Sequence, residues 1–278
     1  MSSRKFHAAC VQLRCGGDIA ENIRTASNLI REAHRAGANF VATPENTSFM
    51  AADAGAKLES ARSEKDELAL AAFCAVAEEL RLWLLIGSLA IKVSEEKTAN
   101  RSYLIGPDGR IAARYDKIHL FDVNLPGGEN YRESHTVAPG AQCVTADLPW
   151  GRIGLSVCYD LRFPHLYRTL AKSGAELLSI PSAFTATTGK AHWHVLLRAR
   201  AIENGCFVIA PAQGGKHANG RSTYGHSMIV GPWGDVLAEA GTEPGFIAAD
   251  IDLEEIATVR ARVPSLQHDR PFSAPANP

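Results

Sequence analysis

Short apolar runs rich in β-branched residues recur along the whole 278-residue chain and alternate with segments of helical periodicity. Most runs are bounded by glycine, proline or asparagine, which is typical of β-strands. Because strands that alternate with helices pack into layers, the pattern predicts an α/β fold. The predicted strands are residues 7–13, 39–43, 82–90, 101–105, 152–158, 176–180, 206–210, 226–230 and 246–251.

Several other segments have the periodicity of amphipathic helices. Asp18 is placed to cap a helix that reaches about Arg35. Ser63 and Asp66 have the spacing of a capping box, which predicts a helix from there to about Arg81. Further helices are predicted over residues 163–172, 191–204 and 252–262.

Two hairpin-like segments, 105–110 and 230–235, each place a Gly/Pro turn between apolar strands. Hairpins mixed with βα units argue against a purely parallel sheet. The expected architecture is two mixed sheets packed face to face, with helices outside. No linker, repeat or low-complexity stretch interrupts the sequence, so we expect one domain over residues 1–265 and a C-terminal tail over 266–278.

Composition excludes several classes of partner. The formal net charge is -1, from 29 basic and 30 acidic residues. The composition therefore predicts no extended basic surface that would bind nucleic acid or membrane. The longest apolar stretch, residues 82–91, is about half of what a membrane span needs. The six cysteines contain no C-x-x-C spacing and no secretory signal precedes them, which favours free thiols in a reducing cytoplasm.

Cys158 ends a predicted strand, and a helix is expected to begin near Arg162 to Pro164. A cysteine at such an elbow lies at the edge of the sheet, where the N–H groups that follow it, starting with Tyr159, can face a developing oxyanion. A nearby helix N-terminus would also favour the thiolate. The alternative is a small buried hydrophobe, which is the usual role of a lone cysteine.

Two other charged residues follow predicted strands. Glu45 comes directly after the strand at residues 39–43, and a carboxylate in a partly dry cleft can act as a general base. Tyr115, Lys117 and His119 lie at every second position, which indicates that their side chains share one face at the edge of a strand. Taken singly, each has a simpler explanation, a helix cap or loop charge for Glu45 and a surface lysine for Lys117.

Three motifs together resemble a known family. Residues 44–46, 115–120 and 157–164 are similar, in order and spacing, to the Glu, Lys and Cys motifs of the nitrilase superfamily of carbon–nitrogen hydrolases. The resemblance extends over nearly the whole chain and is closest to the Nit subgroup. It implies an αββα sandwich that forms homodimers or larger homo-oligomers.

The resemblance also implies roles for individual residues. Cys158 matches the nucleophile, Glu45 the general base, Lys117 the oxyanion-stabilising cation and Glu133 a second acid that supports the lysine. The backbone N–H of Tyr159 is expected to share the oxyanion. The implied reaction is cysteine-dependent hydrolysis of a linear, non-peptide amide, which releases ammonia and passes through a thioester.

The expected substrate is a small amide that bears a carboxylate, with deaminated glutathione as the first choice. Arg162 has the fork that binds a carboxylate, although a structural ion pair would also explain it. Phe184 and Thr188 resemble positions that line the pocket of this subgroup. The alternatives within the family are ω-amidase activity on α-ketoglutaramate, nitrile hydrolysis and N-carbamoyl amide hydrolysis.

No metal and no cofactor are expected. His192 and His194 lie two apart on a predicted helix, so they point to different sides and would not share one ion. An alternative of a different class is a catalytically silent binding protein that keeps the fold. The intact set of Glu45, Lys117, Cys158 and Glu133 argues against it.

Overall fold

The computed structural model describes residues 4–51, 53–126, 128–273 and 275, so the predicted tail at 266–278 lies partly outside the described residues. Two six-stranded sheets pack against each other at its centre. The strands are β1 Lys5–Gln12, β2 Phe40–Ala42, β3 Trp83–Lys92, β4 Thr98–Ile105, β5 Ile111–Asp116, β6 Asp122–Asn124, β7 Asn130–Arg132, β8 Val144–Asp147, β9 Arg152–Leu155, β10 Leu177–Ser179, β11 Phe207–Ala210, β12 Gly214–Lys216, β13 Ser222–Tyr224, β14 Met228–Val230, β15 Val236–Glu239 and β16 Gly245–Asp252.

Both central sheets are mixed. The first has the order β16-β1-β2-β3-β4-β5 and the second β15-β14-β11-β10-β9-β8. In each, three central strands run parallel and the flanking strands pair antiparallel with them. The two predicted hairpins are β4–β5 and β14–β15. The predicted sandwich of two mixed sheets is therefore confirmed.

Of the six helices, the first and third along the chain pack on the first sheet, and the fourth and fifth pack on the second. They are α1 Ile19–Arg35, α2 Ala54–Ser60, α3 Leu68–Leu80, α4 Pro164–Lys172, α5 Ala186–Asn204 and α6 Glu254–Arg262. The alternation of β1 shows how the layers form, because side chains of a strand point to opposite faces in turn. Ala8 and Cys10 face the second sheet, whereas Ala9 and Val11 pack with the core beneath α1 and α3.

The predicted start of α3 is wrong. The Ser63 hydroxyl donates to the Asp66 carboxylate instead of capping a backbone N–H, and residues 64–66 form only a short 3₁₀ turn. Glu64 is held there by ion pairs with Arg101 and Arg114. The α-helix begins at Leu68, where the Glu67 side chain accepts from a backbone N–H. Tertiary ion pairs thus override a local capping signal.

Helix α5 begins at Ala186, earlier than the predicted residue 191, and α2 was not predicted at all. Thr185 caps α5 by accepting from the Thr188 N–H. Gly189 lies inside the helix and packs closely against Tyr224, because a Cβ at Gly189 would be 2.2 Å from the Tyr224 Cβ. Close packing explains this glycine, and Thr188 consequently lies in the first turn of α5.

Gly87, in β3, is the point of closest approach between the loops that follow β2 and β10. A Cβ there would lie 2.2 Å from the Thr43 carbonyl oxygen and 2.4 Å from Pro181 Cβ. Both neighbours are connected to the site described below. Thr43 precedes Glu45 by two residues, and the Pro181 carbonyl oxygen accepts a hydrogen bond from the Cys158 N–H.

Replacing Gly87 with alanine is expected to lower the free energy of unfolding by about 2–3 kcal/mol, because the backbone must move to admit the methyl group. Urea denaturation followed by circular dichroism measures this. Gly241→Ala is the matched control, since nothing lies within 4 Å of its Cβ position. Equal stability of the two variants would contradict the close approach.

Among the residues that the structure describes, no helix combines the length and apolarity that crossing a bilayer requires.

Candidate active site

A cavity of about 410 Å³ opens where strands of both sheets end. All of the residues singled out from the sequence line it: Glu45, Lys117, Glu133, Cys158, Tyr159, Arg162, Phe184 and Thr188. Glu45 and Lys117 come from loops that follow β2 and β5 of the first sheet. Cys158 follows β9 of the second sheet, so the site lies at the seam between the two halves.

Glu45 is held on both of its carboxylate oxygens. Oε1 lies 2.9 Å from Lys117 Nζ, and Oε2 accepts from the Ala183 N–H at 3.0 Å. Its own carbonyl oxygen accepts from the Gln213 side chain. The next residue, Asn46, adopts a left-handed φ of 58° and donates its N–H to Ser88. The carboxylate is therefore fixed in orientation and only 4% exposed.

Lys117 is a buried cation between two carboxylates. Its Nζ lies 2.9 Å from Glu45 Oε1 and 2.8 Å from Glu133 Oε2, and the residue is only 2% exposed. Burial by itself lowers the pKa of Lys117, but the attraction of Glu133 and Glu45 outweighs it and raises that pKa well above its ordinary value. Lys117 therefore carries its charge at every physiological pH.

Asn100, on β4, joins the two carboxylates from the other side. Its amide nitrogen donates to Glu45 Oε1 at 2.9 Å and to Glu133 Oε1 at 3.1 Å. Sequence reasoning missed this residue because it lies inside a strand, away from any motif. The buried charges are thus satisfied by hydrogen bonds as well as by each other, which is the condition for a stable buried ion cluster.

Glu133 accepts from the Phe121 N–H as well as from Lys117 and Asn100. Burial raises the pKa of Glu133, but the charges of Lys117 and Lys57 and these hydrogen bonds outweigh it and lower the pKa to about 2. Because the folded-state pKa is depressed, its ionised form contributes stability above the ordinary pKa. That contribution is lost as the pH falls toward about 2.

Replacing Glu133 with glutamine is expected to lower the free energy of unfolding by about 3 kcal/mol at pH 7. The difference from the unchanged protein should shrink as the pH falls from 4.5 toward 2, where Glu133 is protonated in both states. Urea denaturation at pH 7, 4 and 3 measures this. Glu129→Gln, an exposed position on the other side of β7, serves as the control. A difference that stays constant with pH would contradict the assignment.

Cys158 occupies a strained backbone position at the elbow. Its φ is 52°, in the left-handed region that non-glycine residues rarely adopt, and its N–H donates to the Pro181 carbonyl at 2.9 Å. A short 3₁₀ turn over Cys158–Arg162 follows, and α4 begins at Pro164. The predicted elbow between strand and helix is therefore present, with one 3₁₀ turn inserted.

The surroundings of Cys158 raise the pKa of its thiol, contrary to the expectation that a helix N-terminus would favour the thiolate. Burial raises the pKa of its thiol, the neighbouring Glu45 carboxylate raises it further by charge and hydrogen bonding, and Lys117 opposes both. A thiol of this kind needs a base to remove its proton at the moment of attack. Glu45 is the carboxylate in contact with it.

Asp160 holds the elbow in place. Its carboxylate accepts from the Val157 N–H at 2.9 Å, from the Tyr115 hydroxyl at 2.7 Å and from the His119 N–H at 3.0 Å. The His119 ring also lies 2.7 Å away through Nδ1. Tyr115 and His119 belong to the lysine segment of the first sheet, so Asp160 ties the Lys117 loop to the Cys158 loop. The sequence motif contains Asp160, but its role depends on tertiary contacts.

Arg162 faces the cavity without an ion pair among the described residues. Its guanidinium lies 5.3 Å from the Phe184 ring centre and 5.8 Å from that of Tyr159, and Nη1 is 3.2 Å from Nδ1 of His192. A structural ion pair, the alternative for Arg162, is therefore not seen in the part of the chain that the structure describes. The residue remains available to an anionic ligand.

One further group of side chains in the described ranges has atoms placed as metal ligands would be. The ligand atoms of His194, His226 and Glu239 lie within 4.8 Å of one another, and both imidazoles are 2.8 Å from the same Glu239 oxygen. These residues lie on α5 and beside β14 and β15, and none of them lines the cavity. His192 is not part of the group, so the two histidines of α5 do point to different neighbours.

Comparisons with known proteins identify the family of the chain. A family model described as carbon-nitrogen hydrolase matches residues 7–261. A Synechocystis protein named deaminated glutathione amidase is 45% identical over 276 residues, which cover 95% of this chain and 98% of that protein. The crystal structure of the C. elegans NitFhit protein is 37% identical with a TM-score of 0.90, over 97% of this chain and 66% of that one.

A third similar protein is a mutant of the amidase from Nesterenkonia sp. AN1. Its structure shows covalent addition of the acetamide moiety of fluoroacetamide at the active site cysteine. It is 25% identical to this chain with a TM-score of 0.82, and the match covers 95% of this chain and 94% of that one.

Proposed function

The chain belongs to the carbon–nitrogen hydrolase family, and from that premise we propose that it is an amidase that uses Cys158 as nucleophile and deaminated glutathione as substrate. The observation that carries the proposal is the arrangement of Glu45, Lys117 and Cys158 at one cavity wall. The name of the Synechocystis relative supports the substrate. The covalent cysteine adduct of the Nesterenkonia amidase supports the nucleophile.

In the first step, Glu45 removes the thiol proton of Cys158 as sulfur attacks the amide carbon. A C–S bond forms, and the carbonyl π electrons move to oxygen. Because Glu45 is held by Lys117 and the Ala183 N–H, it stays in place for this transfer. A base that is already oriented contributes typically about 10²–10⁴-fold to rate.

The negatively charged oxygen of this tetrahedral intermediate must then be stabilised by hydrogen-bond donors. Lys117, charged and immobile between two carboxylates, supplies one, and the N–H of Tyr159 at the elbow supplies the other. Collapse of this intermediate breaks the C–N bond, and Glu45 gives its proton to the departing nitrogen. The acyl group remains on Cys158 as a thioester. Glu45 next takes a proton from water as the water oxygen attacks the thioester carbon. The C–S bond then breaks, Glu45 returns the proton to the sulfur of Cys158, and the carboxylic acid product leaves.

The leaving group depends on the substrate. In deaminated glutathione, the amide joins an α-keto acid to the nitrogen of cysteinylglycine, so that dipeptide departs as an amine instead of the ammonia expected from the resemblance. In α-ketoglutaramate, ammonia departs. Both reactions give α-ketoglutarate, so the same acyl-side contacts serve both, and Arg162, Phe184 and Thr188 are the proposed contacts for that half.

We extend the proposal to the organisation of the protein. Residues 1–265 would form the hydrolase domain, and Asp269 in the following tail ion-pairs with Arg168 and Lys172 of α4. The six cysteines are free thiols, which suits a reducing cytoplasm. Exposed apolar side chains on α5 and near β15, Val195, Ile202, Trp233 and Leu237, suit a homo-oligomer.

The test is a substrate panel of deaminated glutathione, α-ketoglutaramate, an N-carbamoyl amino acid and an aliphatic nitrile. Formation of α-ketoglutarate is followed for the first two, and ammonia release for the last three. We expect the highest kcat/KM with deaminated glutathione. No hydrolysis of either α-keto amide would overturn the proposal. A catalytically silent binding protein would hydrolyse none of the four.

A further inference from the structure

The cavity has more positive charge than the catalytic centre uses. Among its described lining residues, five are basic and three are acidic, although the whole chain has a net charge of -1. Two of the acids, Glu45 and Glu133, are paired with Lys117, and the third, Asp53, caps α2. The other four cations form no ion pair with a carboxylate among the described residues, which favours an anionic ligand.

Arg221 is one of these cations and its guanidinium is incompletely satisfied. One Nη donates to the Ala183 carbonyl, and the group lies 5.2 Å from the Tyr131 ring centre. Its Nε is buried and has no hydrogen-bond acceptor among the described residues. A buried donor without an acceptor is unfavourable, and an added acceptor would relieve that cost.

Lys57, on α2, faces the same part of the cavity. No carboxylate forms an ion pair with it in the described ranges of the chain. Burial lowers the pKa of Lys57, and the positive charges of Lys117 and Arg221 lower it further, against the attraction of Glu133 and Glu45. Lys57 and Arg221 thus line the same cavity, and neither forms an ion pair among the described residues.

Arg221 and Arg162 lie against different parts of the cavity wall, Arg221 beside Tyr131. Glu45 must reach the departing nitrogen, so that nitrogen lies on the Glu45 side. The Arg221 guanidinium donates a hydrogen bond to the Ala183 carbonyl oxygen, and the Ala183 N–H donates one to the Glu45 carboxylate. Arg162 instead lies against Tyr159 and Phe184, next to Cys158. The cavity therefore has two separate cationic positions.

We propose that Arg221 and Lys57 form a second anion subsite, which binds the terminal carboxylate of the departing half of a dianionic substrate. The inference rests on the proposed amidase function and deepens it. Two residues of extended chain, as in cysteinylglycine, span at most about 7 Å, which fits within this cavity. α-Ketoglutaramate has no such carboxylate, so the subsite would select deaminated glutathione over it.

The test compares Arg221→Gln and Lys57→Gln with the unchanged protein on three substrates: deaminated glutathione, its C-terminal glycinamide analogue and α-ketoglutaramate. For deaminated glutathione, we expect kcat/KM to fall about 10–100-fold in each variant, mainly through KM. For α-ketoglutaramate, the change should stay below about 3-fold. The glycinamide analogue should be a poorer substrate for the unchanged protein, by a similar factor, and the variants should lose little further on it.

Arg110→Gln is the control for a change of charge, because Arg110 lies in the β4–β5 turn with an 88% exposed side chain. Arg110→Gln should leave kcat/KM for all three substrates unchanged. Retained turnover of α-ketoglutaramate shows that each variant is folded. Equal losses on both α-keto substrates, or an undiminished preference of the variants for the free carboxylate, would overturn the subsite. If the unchanged protein hydrolysed neither α-keto amide, the proposed function itself would fail.

Discussion

Replacing Cys158 with alanine is expected to reduce turnover by at least about 10⁴-fold, because no thioester can then form. The fold should survive, since alanine removes only the sulfur atom and leaves the bond from the Cys158 N–H to the Pro181 carbonyl oxygen in place. Alanine also has to adopt the same left-handed φ of 52°, so the backbone strain is unchanged. Steady-state kinetics and thermal unfolding measure the two effects.

Cys143→Ala is the matched control, because Cys143 is an exposed free cysteine that does not line the cavity. It should keep full activity. A Cys158→Ala variant that retained more than about 1% of the turnover would show that the nucleophile is elsewhere. Loss of activity together with loss of the folded state would leave the nucleophile to be tested with Cys158→Ser, which keeps a polar atom at the same position and should also be inactive.

Replacing Lys117 with methionine is expected to lower turnover by at least about 10²–10³-fold and the free energy of unfolding by about 3–5 kcal/mol at pH 7. The activity falls because an oxyanion donor is lost. Stability falls because Glu45 and Glu133 remain buried without their shared cation. Methionine keeps much of the side-chain volume, so packing contributes little to either effect.

The stability of Lys117→Met should also depend on pH in a characteristic way. Without the cation, burial and mutual repulsion raise the pKa of at least one of the two carboxylates above its unfolded value. Stability should therefore increase as the pH falls from 8 to 5 and that carboxyl group becomes protonated. Urea denaturation across this range measures it. The double variant Lys117→Met/Glu133→Gln should regain part of the loss at pH 7, and no recovery in either experiment would contradict the ion cluster.

Much of this site could be predicted from sequence because its main residues follow strand ends. Glu45 and Cys158 lie just beyond β2 and β9, and Lys117 comes directly after β5. Apolar strands and the turns that end them can be recognised from short stretches of sequence. The family motifs point to the same three residues, Glu45, Lys117 and Cys158. The layered architecture follows from the same alternation of strands and helices.

Other parts of the site depend on contacts between distant segments. Asn100 is an ordinary strand residue until β4 brings its amide between two carboxylates. Arg221 belongs to a polar loop, and only its approach to Ala183 and Tyr131 places it in the cavity. The false capping box at Ser63 has the same cause, because ion pairs from β4 and β5 decide the conformation of Glu64.

The division of the site between the two sheets has a consequence for biosynthesis. Glu45 and Lys117 are synthesised before Cys158, and the first sheet is completed only by β16, which pairs with β1 near the end of the chain. A truncated or half-folded product therefore contains an ordinary cysteine without its base and cation. Recovery of activity during refolding would consequently report the docking of the two sheets. Circular dichroism would report only the formation of secondary structure, which does not require docking.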